Sequence, residues 1–343
     1  MKRALQLGAV LAVIALVVTA YYGARFQKFL AVPLNVPTSG SEFEIEPGMS
    51  FGEVSAALEA NGIVSDAEML RFYARWQGIA GSVQAGQYLI REGTTPAALL
   101  EQFTSGDVQL YSFTIVEGWN RYDLLRALHG AENVTAEMTD EDWPVLLEEL
   151  GAQTRVPEGL FLPETYRFAR GTSDRDLLRQ AYRQMQATLS EEWAGRAEDA
   201  PVTSPYEALI LASIVEKETA RADEREQIAG VFARRLAKRM RLQTDPTVIY
   251  GIGPSFNGNL TRKDLRTDTP YNTYTRHGLP PTPIAMPGRA AIYAALHPAA
   301  GDTIYFVATG LPDGSHKFSR NKAEHDAAVQ EYLQRLRQRR TRN

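Results

Sequence analysis

The sequence predicts an α+β protein built from an amino-terminal apolar helix, a small strand-and-helix module and a larger α+β domain. Three observations lead there. Residues 7–23 contain no charged side chain. Short alternating stretches such as Phe43-Glu44-Ile45-Glu46 are interspersed with helical apolar periodicity over residues 51–61 and 69–79. A densely apolar helix signal at residues 204–218 is followed by segments rich in Gly, Pro and Tyr. Period-two and period-3.6 patterns mixed along one chain favour α+β over an all-helical or all-strand fold.

The apolar run comes first. Met1-Lys2-Arg3 precedes it and Arg25 and Lys28 come after it, and its length of about 17 to 20 residues is just enough to cross roughly 30 Å of hydrocarbon as a helix. Tyr21 and Tyr22 occupy the position of an interfacial aromatic belt. A single-pass anchor over residues 1–25 is therefore expected, at the cytoplasmic (inner) membrane with the rest of the chain on its outer side. Val18-Thr19-Ala20 also has the small-residue pattern of a signal-peptide cleavage site. Either reading exports the remainder of the chain.

Residues 26–42, with the Pro-, Gly- and Ser-rich stretch AVPLNVPTSGS, read as a linker. Residues 43–108 form the small module: a strand at 43–46, a turn at Pro47-Gly48, helices at 51–61 and 69–79, a returning strand at 87–90, and a third helix opened by Gly93-Thr94-Thr95-Pro96. Residues 109–343 form the larger domain. It starts with a strand over residues 111–116, includes an amphipathic helix over 174–193, and closes with a strand at 303–308, a return at 314–319 and a helix over 321–337.

Composition narrows the chemistry. A net charge of −4 over 343 residues, without a long basic block, argues against nucleic acid as a partner. Absence of cysteine rules out a thiolate nucleophile, a Cys-ligated zinc or a disulfide framework. The five histidines are scattered with no H-E-x-x-H pair, so neither metal nor cofactor is expected.

The candidate acid lies on the helix that Ser204-Pro205-Tyr206-Glu207 opens as a capping box with proline at the first helical position. This helix is apolar on nearly every face until Glu216-Lys217-Glu218. Residues two apart project about 200° from one another, so Glu216 and Glu218 cannot address one atom. Glu218 stacks over Leu211, Ile214 and Val215, whereas Glu216 lies over Leu209, Ala212 and Ser213. Desolvation by aliphatic neighbours raises a carboxyl pKa, and the helix carboxyl end pushes the same way. Glu218 is thus the candidate general acid. Ser213 and Lys217 are four apart, one too many for an S-x-x-K nucleophile.

Residues 241–251 (RLQTDPTVIYG), Tyr271-Asn272-Thr273-Tyr274 and Gly278-Leu279-Pro280-Pro281 read as loops around a groove. Tyr271 and Tyr274 suit the C–H face of a sugar, and Gln243, Asp245 and Asn272 suit its hydroxyl and amide groups. A proline-stiffened structural loop fits the same composition. His316, in the turn Gly314-Ser315-His316, is a further candidate for the groove.

Taken together, the segment ASIVEKET (residues 212–219), the segment RLQTDPTVIYG, Tyr271-Asn272-Thr273-Tyr274, Gly278-Leu279-Pro280-Pro281, His297-Pro298 and Tyr305-Phe306-Val307 closely resemble the endolytic murein transglycosylase family, also called MltG or YceG-like. The likeness covers essentially the whole chain. Glu46-Pro47-Gly48-Met49-Ser50 and Ala85-Gly86-Gln87-Tyr88 resemble the LysM-like module at the front of that family. The resemblance implies cleavage of the β-1,4 bond between N-acetylmuramic acid and N-acetylglucosamine in nascent peptidoglycan, leaving 1,6-anhydromuramoyl ends, beside penicillin-binding synthases. It makes Glu218 the catalytic carboxylate. From the side-chain chemistry, Glu216, Gln243, Asp245, Tyr271, Asn272, Tyr274 and His316 are expected in substrate-binding or supporting roles. A non-catalytic peptidoglycan-binding scaffold and a conventional muramidase are the alternatives.

Overall fold

Residues 2–31, free of proline and rich in Leu, Ala and Val, form helix α1 (Lys2–Ala31) in a computed structural model that describes residues 2–342. Among the described residues no helix is long and apolar enough to cross a membrane. The side chains of residues 2–9 and 11, where the apolar run opens, lie outside the described residues.

The architecture is mixed α+β, in two units. The first extends to Tyr111 and takes in Arg167–Gly171; the second comprises Ser112–Tyr166 and the chain from Thr172 onward. In the first, β1 (Ser41–Ile45) and β2 (Gly86–Ile90) pair antiparallel with Phe43 opposite Tyr88. Between them lie α2 (Phe51–Ala60) and α3 (Ala67–Trp76), and α4 (Pro96–Ser105) comes after β2. The helices start where side chains satisfy orphan N–H groups. Ser50 and Glu53 close a capping box on α2, Asp66 caps α3, and Thr95 caps α4 with proline in its first turn. Val54, Leu58, Leu70, Tyr88, Ile90, Leu99 and Phe103 are fully buried and form one core.

The chain enters the second unit through β3 (Leu110–Thr114). Next come α5 (Arg121–His129), β4 (Val134–Thr135), α6 (Trp143–Glu149), β5 (Thr165–Ala169), whose residues from Arg167 belong to the first unit, β6 (Thr172–Ser173) and α7 (Asp174–Ala194). They are followed by α8 (Pro205–Glu218), α9 (Arg225–Ala237), α10 (Asp245–Ile252), α11 (Arg262–Arg266) and α12 (Arg289–Leu296). The chain closes with β7 (Tyr305–Ala308), β8 (His316–Ser319) and α13 (Lys322–Arg342). β4 and β6 pair parallel, whereas β7 and β8 pair antiparallel.

Helix α8 is the axis of this unit, and every residue from Ala208 to Val215 is buried. It packs against α7, α9, α10 and α12. Small residues make the closest approach possible: Ala212 on α8 and Ala291 and Ala295 on α12 are fully enclosed. Half of the expected capping box is present, because Ser204 Oγ accepts from the Glu207 N–H. The other half is displaced by one residue, and Glu207 Oε2 takes the N–H and hydroxyl of Thr203 at 2.6 and 2.7 Å.

One expected loop is a helix. Residues 245–252 form α10, with Asp245 and Pro246 in its first turn and Gly251 inside it. Acid and proline in a first turn are a helix-start signal, and a glycine within eight residues did not outweigh tertiary packing of Thr247 and Val248.

Gly230 on α9 shows how tightly the unit is assembled, because a Cβ there would overlap the Ala299 carbonyl oxygen. Gly230→Ala gains about 1 kcal/mol of helix propensity. It nonetheless forces apart the backbone, at a cost of about 1–3 kcal/mol or more. The expected outcome is a net loss of stability in denaturant unfolding; a stabilised variant contradicts this packing.

Candidate active site

The end of α8 turns two carboxylates in different directions. Glu216 Oε2 accepts the N–H of Gly288, immediately before α12, at 3.0 Å, and Arg225 lies 3.9 Å from its other oxygen. Its side chain is only 6% exposed, and burial raises its pKa against the Gly288 bond. Glu216 therefore fastens α8 to the start of α12, a supporting role in the structural sense.

Glu218 is partly buried and answers to a different set of groups. Thr244 Oγ1 donates to its Oε1. Its pKa is raised above the ordinary 4.5, chiefly by desolvation; the Thr244 bond opposes this, Asp245 adds to it, and His316 and Arg235 pull it down. Thr244 is held by its own network: its N–H donates to Thr273 Oγ1 at 3.1 Å, and its carbonyl accepts from Thr247 Oγ1 at 2.8 Å. The acid is thus oriented by a threonine whose position is set by two more threonines.

The remaining expected residues divide. Asp245, exposed at the start of α10, accepts from the Tyr274 hydroxyl at 2.5 Å. Burial raises the Tyr274 pKa, with Asp245 and Glu218 acting in the same direction. Gln243 is exposed and held at φ +52°, a left-handed conformation unusual outside glycine, with its N–H on the Thr273 carbonyl at 3.2 Å. His316, on β8, places Nδ1 2.7 Å from Glu224 Oε2, so the Glu224 carboxylate orients the ring.

Asn272 differs from its expected groove role. It is fully enclosed, and its amide nitrogen bonds the carbonyls of Asp264, Leu265 and Thr267 while its oxygen accepts from the Tyr274 N–H. With every donor and an acceptor spent on backbone, it staples the loop that carries Tyr271 and Tyr274. Ser213 is likewise committed, donating to Ile210 and accepting from the Ile284 N–H.

A cleft of about 840 Å³ opens in the second unit, and of the expected site residues Tyr271 alone is on its lining. Tyr122, Tyr250, Tyr271, Ile249 and Phe256 form walls, and Lys217 and Pro246, the neighbours of Glu218 and Asp245, lie on its lining. The Tyr250 and Tyr271 rings meet edge to face at 4.9 Å. A cleft walled by aromatic faces with polar groups at its margins suits a saccharide.

Sequence reasoning missed the carboxyl behind that wall. Glu158 is fully buried, takes the Tyr250 hydroxyl at 2.7 Å and the Arg121 N–H at 3.0 Å, and so ties the start of α5 to α10. Gly159 beside it has φ +78°, and a Cβ there would stand 2.5 Å from Pro283, so glycine is required. An acid between Pro157 and Gly159, directly before Leu160-Phe161-Leu162, was the available signal.

Burial pushes the Glu158 carboxyl up to about 7, against its two hydrogen bonds. The folded state holds this proton more tightly than the unfolded chain, so the stabilising contribution is complete below about pH 4.5 and is lost as pH rises through about 7. The full effect is on the order of 3 kcal/mol. Glu158→Gln is expected to flatten the decline in thermal stability across that window; parallel wild-type and variant profiles contradict the assignment.

A desolvated glutamate held by a threonine, and an aromatic cleft in the same unit of an α+β scaffold, are features expected of a class of carbohydrate-active proteins. The family is settled by similarity. The model of the YceG-like family matches residues 43–331, and the chain belongs to that family. It is 31% identical over 307 residues to a Bacillus subtilis protein named endolytic murein transglycosylase, covering 84% of each chain. A Streptococcus pneumoniae protein of the same name is 29% identical over 323 residues, which span 84% of this chain and 58% of that one. A crystal structure of a yceG-like protein from Listeria monocytogenes superposes with a TM-score of 0.51 at 26% identity, over 85% of this chain and 99% of the other.

Proposed function

We propose that this chain is an endolytic murein transglycosylase that cleaves the β-1,4 bond between N-acetylmuramic acid and N-acetylglucosamine within glycan strands. The observation that carries the reading is the desolvated Glu218 carboxyl, raised above 4.5 and oriented by Thr244, in a chain whose relatives bear that name.

The mechanism follows from one acid. Hydrolytic glycosidases need a second carboxylate to activate water or form a covalent intermediate. Here the C6 hydroxyl of the muramoyl sugar is the nucleophile, brought close by its own ring. Protonated Glu218 donates to the departing glycosidic oxygen as its bond to C1 breaks. The C6 oxygen then forms the new bond to C1, and its proton returns to Glu218. No water is consumed, and the product carries a 1,6-anhydro end. Asp245, whose charge acts on the acid, counters positive charge developing on the ring and helps to raise the Glu218 pKa.

The same reading makes α1 a single-pass anchor in the inner membrane, with the second unit on the outer side beside penicillin-binding synthases. Its support is the uncharged run 7–23 behind Lys2-Arg3 and the exposed Val13, Leu16 and Val17. The first unit acts as a LysM-like glycan module, a reading supported by its paired strands enclosing two capped helices.

Two outcomes test the chemistry. Glu218→Gln is expected to abolish strand cleavage, with circular dichroism and melting unchanged in kind, while Glu216→Gln loses stability more than turnover; mass spectrometry of uncrosslinked strands reads anhydro ends. Full activity in Glu218→Gln, or ends carrying added water in the wild type, defeats the proposal. In addition, Asp245→Asn removes a charge that raises the Glu218 pKa, so the basic limb of the kcat/KM profile is expected to move to lower pH. A limb that moves upward contradicts the placement of that charge.

A further inference from the structure

The first unit carries an apolar surface that the proposed chemistry does not use. Phe26 of α1 meets Phe72, Tyr73 and Trp76 of α3 edge to face, with ring centroids 5.5, 5.9 and 6.3 Å away. Arg25 Nη2 also bonds the α3 cap Asp66 at 3.0 Å, so two independent contacts fix α3 against α1. The opposite face of α3, with Leu70 and Ala74, is buried in the core, yet Phe72 is 60% and Trp76 68% exposed. Large aromatics left open side by side mark a surface that something covers.

Position along α1 identifies the occupant. The uncharged run ends at Gly23, and Phe26 is three residues further. At 1.5 Å per residue the aromatic group lies about 4.5 Å beyond the edge of the apolar segment. Tyr21 and Tyr22, 63% and 56% exposed, lie at the same end. That is the depth of the headgroup layer, where Trp and Tyr rings sit with an apolar body and a polar edge. Arg71 pairs with Glu68 at 3.7 Å, while Arg75 on α3 and Lys28 on α1 add positive charge, which suits lipid phosphates and has no counterpart on a neutral glycan.

We propose that α3 docks into the headgroup layer of the membrane that α1 enters, inserting Phe72 and Trp76 and facing Arg75 and Lys28 toward lipid phosphates. The inference rests on the anchoring read from α1. It holds the first unit on the bilayer surface, where the strands within its reach are those nearest the membrane.

Because the chain has no cysteine, single labels are unambiguous. Full-length protein carrying a nitroxide at Val17→Cys, Phe72→Cys or Gln77→Cys would be reconstituted into phosphatidylethanolamine–phosphatidylglycerol vesicles. Its accessibility to oxygen and to a water-soluble nickel chelate would then be read by electron paramagnetic resonance. Gln77→Cys keeps both aromatics and guards against a local effect of losing Phe72. The expected result is deep protection from nickel at 17, and intermediate protection at 72 and 77 that is lost in Trp76→Ala. Protection at 17 with fully aqueous values at 72 and 77 overturns the docking and leaves the anchor. Aqueous values at all three overturn the anchor and this proposal together. Spin–spin broadening at 72 in place of protection assigns the patch to a second copy and also overturns it.

Discussion

Removal of one carboxyl group from water is the constraint on which the rest of this structure depends. Glu218 stands at the last turn of a helix whose preceding eight positions from Ala208 to Val215 are buried, so its side chain is desolvated by the interior that the helix itself creates. A helix exposed on one side would have left the same residue hydrated and without this upward shift. The alanines that let α12 close on α8, and the glycine that lets α9 reach the Ala299 carbonyl, are in this sense part of the acid's environment.

The two glutamates illustrate how one helix end serves both chemistry and architecture. Glu216, 200° away in projection, gives its carboxylate to the Gly288 N–H and so positions α12, while Glu218 keeps an oxygen for Thr244 and part of its surface accessible. Thr244, Thr247 and Thr273 form a compact hydroxyl network that carries no charge of its own. A neutral partner lets the acid be oriented while burial and the adjacent Asp245 still hold its pKa up. Glu158 repeats the device behind the cleft wall, where a fully buried carboxyl fixes the Tyr250 hydroxyl.

Much of this was legible from residue pattern alone, for physical reasons. The start of α8 and the divergence of Glu216 and Glu218 follow from capping chemistry and from 3.6-residue periodicity, which are local properties. The strands and helices of the first unit were readable for the same reason. The features that stayed hidden depend on contacts distant in sequence. Asn272 has the composition of a sugar ligand, yet three carbonyls from residues 264, 265 and 267 consume its donors. Glu158 acquires its role from Tyr250, 92 residues away. Residues 245–252 have the look of a loop because Pro246 and Gly251 punctuate them, and tertiary packing makes them a helix.

The proposed chemistry stands or falls on the protonation state of one side chain. Carbon-13 labelling of glutamate, with the Glu218 carboxyl resonance assigned by its loss in Glu218→Gln, allows that group to be titrated directly in the full-length protein. A midpoint clearly above 4.5 is the predicted result. A midpoint at or below the ordinary carboxylate range would mean that the group is ionised at neutral pH, and a general acid at this position would be contradicted.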